Sequence, residues 1–260
     1  MPKASKLVIL LIYLLALLLP FLPAPALAQL AMPHKLLGTV TIAGAPAPDG
    51  IVISADISGV TWVSKTFWAI SSRPSTTTTT KDSTPGLYGY GPTFPALFLD
   101  VPADDTSTPV KDGGATDNTI NIYVDSYLAS TTTFQSGATD ESGKTLRNLV
   151  VPAANVIDIP PLTLSSSSPN AGDTVSVSGS VKNKAATPAA VAGASVSIAW
   201  GDGSSASTAT SGSDGTFSAT HTYNAAGSFT LTATGTRPDY VRGSRTASLT
   251  VASTLAAPGS

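Results

Sequence analysis

The chain has 260 residues and a formal net charge of −2; only 12% of its residues are charged, cysteine is absent and histidine occurs twice. A typical soluble chain carries about 25% charged residues, and without an excess of Lys and Arg there is no basic field to draw in nucleic acid phosphates. The missing cysteine excludes disulfides, thiolate zinc sites and a cysteine-borne lipid anchor, so each domain must rest on its own apolar core.

The first segment reads as a targeting signal. Lys3 and Lys6 lead into an apolar run from Leu7 to Leu19, and the stretch from Pro20 closes on Ala26-Leu27-Ala28. A positive start, a short apolar stretch and an A-x-A end mark a secretory signal peptide over residues 1–28. The run is shorter than the ~20 residues a spanning helix needs, and Pro20, Pro23 and Pro25 break any extension. Contact with a membrane is expected only through this segment, if it stays uncleaved, and the rest is expected outside the cell or at its surface.

From residue 36 to 151 short alternating runs are separated by turn signals, the pattern of an all-β sandwich. Leu37, Val40 and Ile42 mark a strand, Ala45-Pro46-Ala47-Pro48-Asp49-Gly50 a predicted turn, and Ile51 to Ile57 a second strand. Thr61 to Ile70 reads as a third. Thr119 to Val124 alternates strictly, Ser130 to Gln135 follows, and Leu146 to Val151 closes the unit. Pro160-Pro161 then predicts a short, stiff, extended joint.

Residues 160–252 carry strand signals at regular intervals: Leu162–Leu164, Asp173–Val181, Ala194–Trp200, Ser205–Thr210, Thr216–Tyr223, Ser228–Thr234 and Thr246–Val251. Seven such strands make an immunoglobulin-like sandwich. The predicted fold is therefore all-β, two tandem β-sandwich domains after an N-terminal signal peptide.

Two resemblances stand on particular residues. Trp200-Gly201-Asp202-Gly203-Ser204, followed by His221-Thr222-Tyr223 and the turn at Gly227, resembles the PKD family of extracellular modules. That resemblance implies a central core ring at Trp200, turn amides bonded by Asp202 between two glycines, and an inward Tyr223 that bonds through its hydroxyl. Gly38-Thr39-Val40-Thr41-Ile42, then Gly44-x-Pro46-x-Pro48-Asp49-Gly50 and Val52-x-Ser54-Ala55, resembles the carboxypeptidase-regulatory-like, transthyretin-like repeats of archaeal and bacterial surface proteins. The run Ile120 to Ala129 looks similar, although Ser126 stands where that family usually has glycine. The stretch 66–117 departs from the pattern and reads as an insertion.

Candidate sites are few. Trp62, Trp68, Tyr88 and Tyr90 could form a carbohydrate platform if their rings are exposed, or core if they are buried. Asp104, Asp105, Asp112 and Asp117 could offer calcium its carboxylate oxygens, against the plainer reading of a solvated acidic loop; no other cofactor is expected. Ser75 to Thr80 is a hydroxyl run suited to an exposed loop or to O-glycosylation. His34 is expected in a flexible terminus, with no identifiable partners for a metal-ligand role, and His221 lies in a strand beside the turn. No nucleophile elbow, zinc-protease helix or phosphate loop occurs, and Glu141 is the sole glutamate. The residues thus point away from an enzyme. The resemblances imply a structural or adhesive surface protein whose partners are other surface proteins or envelope polysaccharide. A carbohydrate-binding protein and an accessory subunit of a secreted enzyme are the alternatives.

Overall fold

A computed structural model describes residues 34–36, 38–48, 51–57, 60, 87–88, 99–101, 103–104, 113–137 and 147–253. Among these, regular structure is β throughout, apart from one 3-10 turn at Ala153–Asn155. The strands are β1 His34–Leu36, β2 Gly38–Ile42, β3 Ala45–Pro46, β4 Ile53–Ile57, β5 Leu87–Tyr88, β6 Leu99–Val101, β7 Thr119–Val124, β8 Tyr127–Thr133 and β9 Leu149–Val151. They continue with β10 Ile157–Asp158, β11 Thr163–Leu164, β12 Thr174–Ser180, β13 Lys182–Asn183, β14 Ser195–Ala199, β15 Ser207–Thr210, β16 Thr216–Thr222, β17 Gly227–Thr236 and β18 Gly243–Val251. The predicted signal segment and the strand predicted over Thr61 to Ile70 lie outside the described residues.

The first domain sets the antiparallel sheet β4-β7-β8 against β3-β2-β5, with β9 parallel to β2 and β1 paired to β6. Side chains alternate across a strand, so β7 buries Ile120, Ile122 and Val124. They join Ile53, Ile57, Val40, Leu149, Val151 and Phe134 in one core. The chain reverses at Ala43 and Gly44, both at positive φ, and β3 pairs straight back onto Thr41 and Ile42, so Ala45 and Pro46 of the predicted turn are strand, while Asp49 and Gly50 lie outside the described residues. The alanine accepts this strain beside a glycine, and Pro46 loses no bond to β2, since it is the next residue's amide, Ala47 N, that donates to Val40 O.

The second domain is a sandwich of β11-β12-β16 against β15-β14-β17-β18. Val175 and Val177 from one sheet, with Val181 just past the end of β12, meet Val196, Ile198, Leu231, Ala233 and Leu249 from the other. The segment after β11 crosses to the far sheet. There Ser167 O accepts from Thr250 N, Pro169 O accepts from Ala252 N, and Ala171 N donates to Ala252 O, in a parallel pairing of the domain's first and last segments.

The joint is not a plain extended linker. β10 pairs with β13, Val156 is buried in the first core, and Ile157 and Ile159 are buried in the second. Apolar residues flanking the prolines are recruited by both cores, which a proline-based reading of the sequence does not register.

Candidate functional site

Catalytic residue types converge at one end of the second sandwich. β14 alternates outward Ser195 and Ser197 with buried Val196 and Ile198, so the next inward position is Trp200, which is fully buried. Its indole N–H donates to Ser207 Oγ at 3.0 Å, which removes the cost of burying the ring nitrogen. Gly201 turns the chain at φ +83°, and a Cβ there would lie 2.3 Å from Thr230 O, so glycine is required on both grounds.

That turn aims Asp202 across the sandwich. One carboxylate oxygen accepts from Ser204 N at 3.1 Å and Ser204 Oγ at 2.5 Å; the other lies 2.7 Å from His221 Nε2. His221 shares the inward parity of Phe217 and Tyr223. Its ring stacks on Trp200 at 4.8 Å and meets Tyr223 edge-on at 4.7 Å. Tyr223 stacks on Phe229 at 5.1 Å and donates its hydroxyl to Trp200 O at 3.0 Å.

The electrostatics follow from these contacts. Burial alone would raise the Asp202 pKa, but hydrogen bonds from Ser204 and His221 outweigh it and hold the carboxyl down at about 2. Burial pushes the Tyr223 phenol up to about 12, and the Asp202 charge adds to this.

A serine, a histidine and an aspartate therefore touch, yet they form no nucleophilic relay. Such a relay places the carboxylate on one ring nitrogen and the hydroxyl on the other. Here Asp202 and Ser204 share Nε2, the Ser204 contact being 3.5 Å, and Ser204 gives its proton to Asp202. A carboxylate acceptor fixes the proton on Nε2, so that nitrogen is no base for the serine.

The other candidate residues are described only in part. Asp104 donates its amide to Gly114 O, and Asp117 sits at φ +70° with its amide on Phe134 O. Asp105 and Asp112 are not described. Among the described residues no three of His, Cys, Asp and Glu group closely enough to hold a metal ion. Tyr88 is placed by its backbone in β5 opposite Gly38, while Trp62, Trp68 and Tyr90 lie outside the described residues, as does the hydroxyl run 75–80. Gly203 turns at φ +83°, and Gly227 opens β17 beside the Phe229 ring.

His34 is a correction. It is not in a flexible terminus but 3% exposed in β1, where its Nδ1 accepts from Gln135 N at 3.1 Å and its ring packs against Phe134. The sequence reading also left His221 without a partner. Its alternation with Phe217 and Tyr223 marks it as inward, but nothing in the spacing pairs it with a residue nineteen positions earlier.

The second domain is thus an immunoglobulin-like β-sandwich closed at one end by a tryptophan–histidine–tyrosine stack. Residues 161–253 match the PKD domain family. No curated protein matches the chain. Among solved structures, the D00-D0 domain of intimin overlaps at 15% identity and a TM-score of 0.31, covering 62% of this chain and 75% of that one. A second, described as a Ca2+-stabilized adhesin that helps an Antarctic bacterium reach out and bind ice, overlaps at 16% identity and a TM-score of 0.27. It covers 85% of this chain, which spans about half of that one, 49%. Among the described residues no helix is long and apolar enough to cross a membrane.

Proposed function

We propose that this is an exported, non-catalytic surface protein whose tandem sandwiches serve structural or adhesive contact with other surface proteins or envelope polysaccharide. The observation that carries the reading is how the Asp202–Ser204–His221 cluster is used. The catalytic residue types that do converge are locked to one another and to the Trp200 and Tyr223 rings, so they brace a turn. The match of residues 161–253 to the PKD domain supports the surface-module part of the proposal. The carboxypeptidase-regulatory-like resemblance of the first domain, the signal over residues 1–28 and the extracellular location belong to the same proposal.

The exposed faces fit that role. Ser195, Ser197, Thr208, Thr210, Thr230 and Ser248 stand outward on β14, β15, β17 and β18. Cross-strand hydroxyls meet at Ser228–Thr250 and Thr230–Ser248. Such a face hydrogen-bonds without large apolar patches or a strong charge.

The test is co-sedimentation of the chain lacking residues 1–28 with isolated cell envelopes and with insoluble polysaccharides. Retention on envelopes, or sedimentation of the protein by itself, is the expected result. Retention on one polysaccharide that Tyr88→Ala and Tyr90→Ala abolish would replace this reading with a carbohydrate-binding one. No retention on any surface would overturn both.

A further inference from the structure

We infer that the loop 237–242 is a latch that holds the two sandwiches as one rigid arm. The loop connects β17 and β18 of the second sandwich, yet its Val241 is 1% exposed within the core of the first domain, beside Val156. Its backbone is taken up on both sides. Val241 N donates to Asn155 O at 2.8 Å, and Ile157 N donates to Val241 O at 2.9 Å. Asn155 Nδ2 donates to Asp239 O at 3.1 Å, and Asp239 N donates to Ser126 O at 3.1 Å.

Asp125 completes the grip. It sits between β7 and β8 at φ +50°, with its side chain 8% exposed. One carboxylate oxygen accepts from Val52 N at 3.2 Å within its own domain. The other accepts from Arg242 N at 3.1 Å, with Arg242 Nε 3.7 Å away. A nearly buried carboxylate shared between amides of two domains is costly to release, because separation takes the Arg242 amide from one of its oxygens and leaves it only the Val52 donor. Gly243 closes the fit: a Cβ there would lie 2.1 Å from Ile157 O.

Tandem domains ordinarily move relative to one another unless their interface is large and apolar. Here motion has no free residue to act through. Val156 belongs to the first core and Ile157 to the second, so the covalent connection is packed at adjacent positions. The loop is a second, non-covalent connection beside it, and two connections at different points remove the hinge that one would leave. This holds whatever the outer faces bind.

The test is 15N relaxation on the chain lacking residues 1–28, read separately for amides of the two domains. Wild-type protein is expected to give one rotational correlation time for both, and Asp125→Ala is expected to split it into two shorter, unequal values while resonances remote from the joint stay in place. Two unequal values in the wild type would overturn the rigid arm. One shared value in both proteins would overturn the role of the latch. If Asp125→Ala costs the first domain its dispersed spectrum, Val241→Ala, which leaves that domain's own side chains intact, is read by the same two outcomes.

Discussion

At the scale of single residues, the Trp200 cluster concentrates both stability and pH response. Trp200 is fully buried among other rings, so Trp200→Ala should cost the second domain about 3–5 kcal/mol through lost contacts and a residual cavity; urea unfolding followed through that domain measures it. Asp202 has a folded pKa of about 2 against about 3.9 in an unfolded chain. The folded state therefore binds fewer protons in between, and the stability this carboxylate contributes is present above pH ~4 and is lost as pH falls towards 2. Asp202→Asn should flatten that acid limb in a series of thermal melts. Tyr223 works in the opposite direction. Its phenol ionises near 10 when unfolded but only at about 12 when folded, so its contribution is full below pH 10 and declines above it; Tyr223→Phe should remove that decline. Trp200, Asp202 and Tyr223 were singled out in the sequence through the PKD resemblance, which rests on two local runs of residues. The Asp202–His221 contact was not, because it depends on how two strands of opposite sheets end beside each other.

At the scale of elements, alternation decides which substitutions a strand tolerates. The amides of Thr250 in β18 and of Ala252 just after it turn away from β17, towards Ser167 and Pro169. The unbroken register with β17 carries that parity back to Thr246, while Ala247 faces Leu231 in the ladder. Proline at 246 removes no hydrogen bond to β17, and proline at 247 does. Ala247→Pro should therefore lower the unfolding midpoint well below that of Thr246→Pro; equal effects would show the register to be wrong. Strands with strict alternation, such as Thr119 to Val124, could be read directly from the sequence. The turn at Ala43–Gly44 could not, because the two prolines and Gly50 downstream carry a stronger turn signature than an alanine placed at positive φ.

At the scale of the molecule, the apparent boundary between domains runs through shared structure. Ile157 and Ile159 lie before residue 161, yet both are buried in the second core. Burial of an Ile side chain contributes about 1.5–3 kcal/mol, so a fragment starting at residue 161 should melt well below one starting at 153; equal melting would show that the connector adds nothing. That two domains exist was evident from a run of strand signals interrupted by Pro160-Pro161. That they interlock was not, since Val156 and Val241 pair across most of the second domain's length and no periodicity marks either as the other's partner.

The parallel pairing of the segment Ser167–Ala171 with Thr250–Ala252 sets how the second sandwich would respond to mechanical tension. The two segments run in the same direction, and the chain enters the domain ahead of the first and leaves after the second. A pull applied through those two ends draws the segments past one another along their length, so their hydrogen bonds lie across the load and must yield together. A pull that peeled β18 from β17 at the loop would instead break the bonds one at a time. Under tension along the chain, this sandwich should be strongest in the direction that draws its two ends apart.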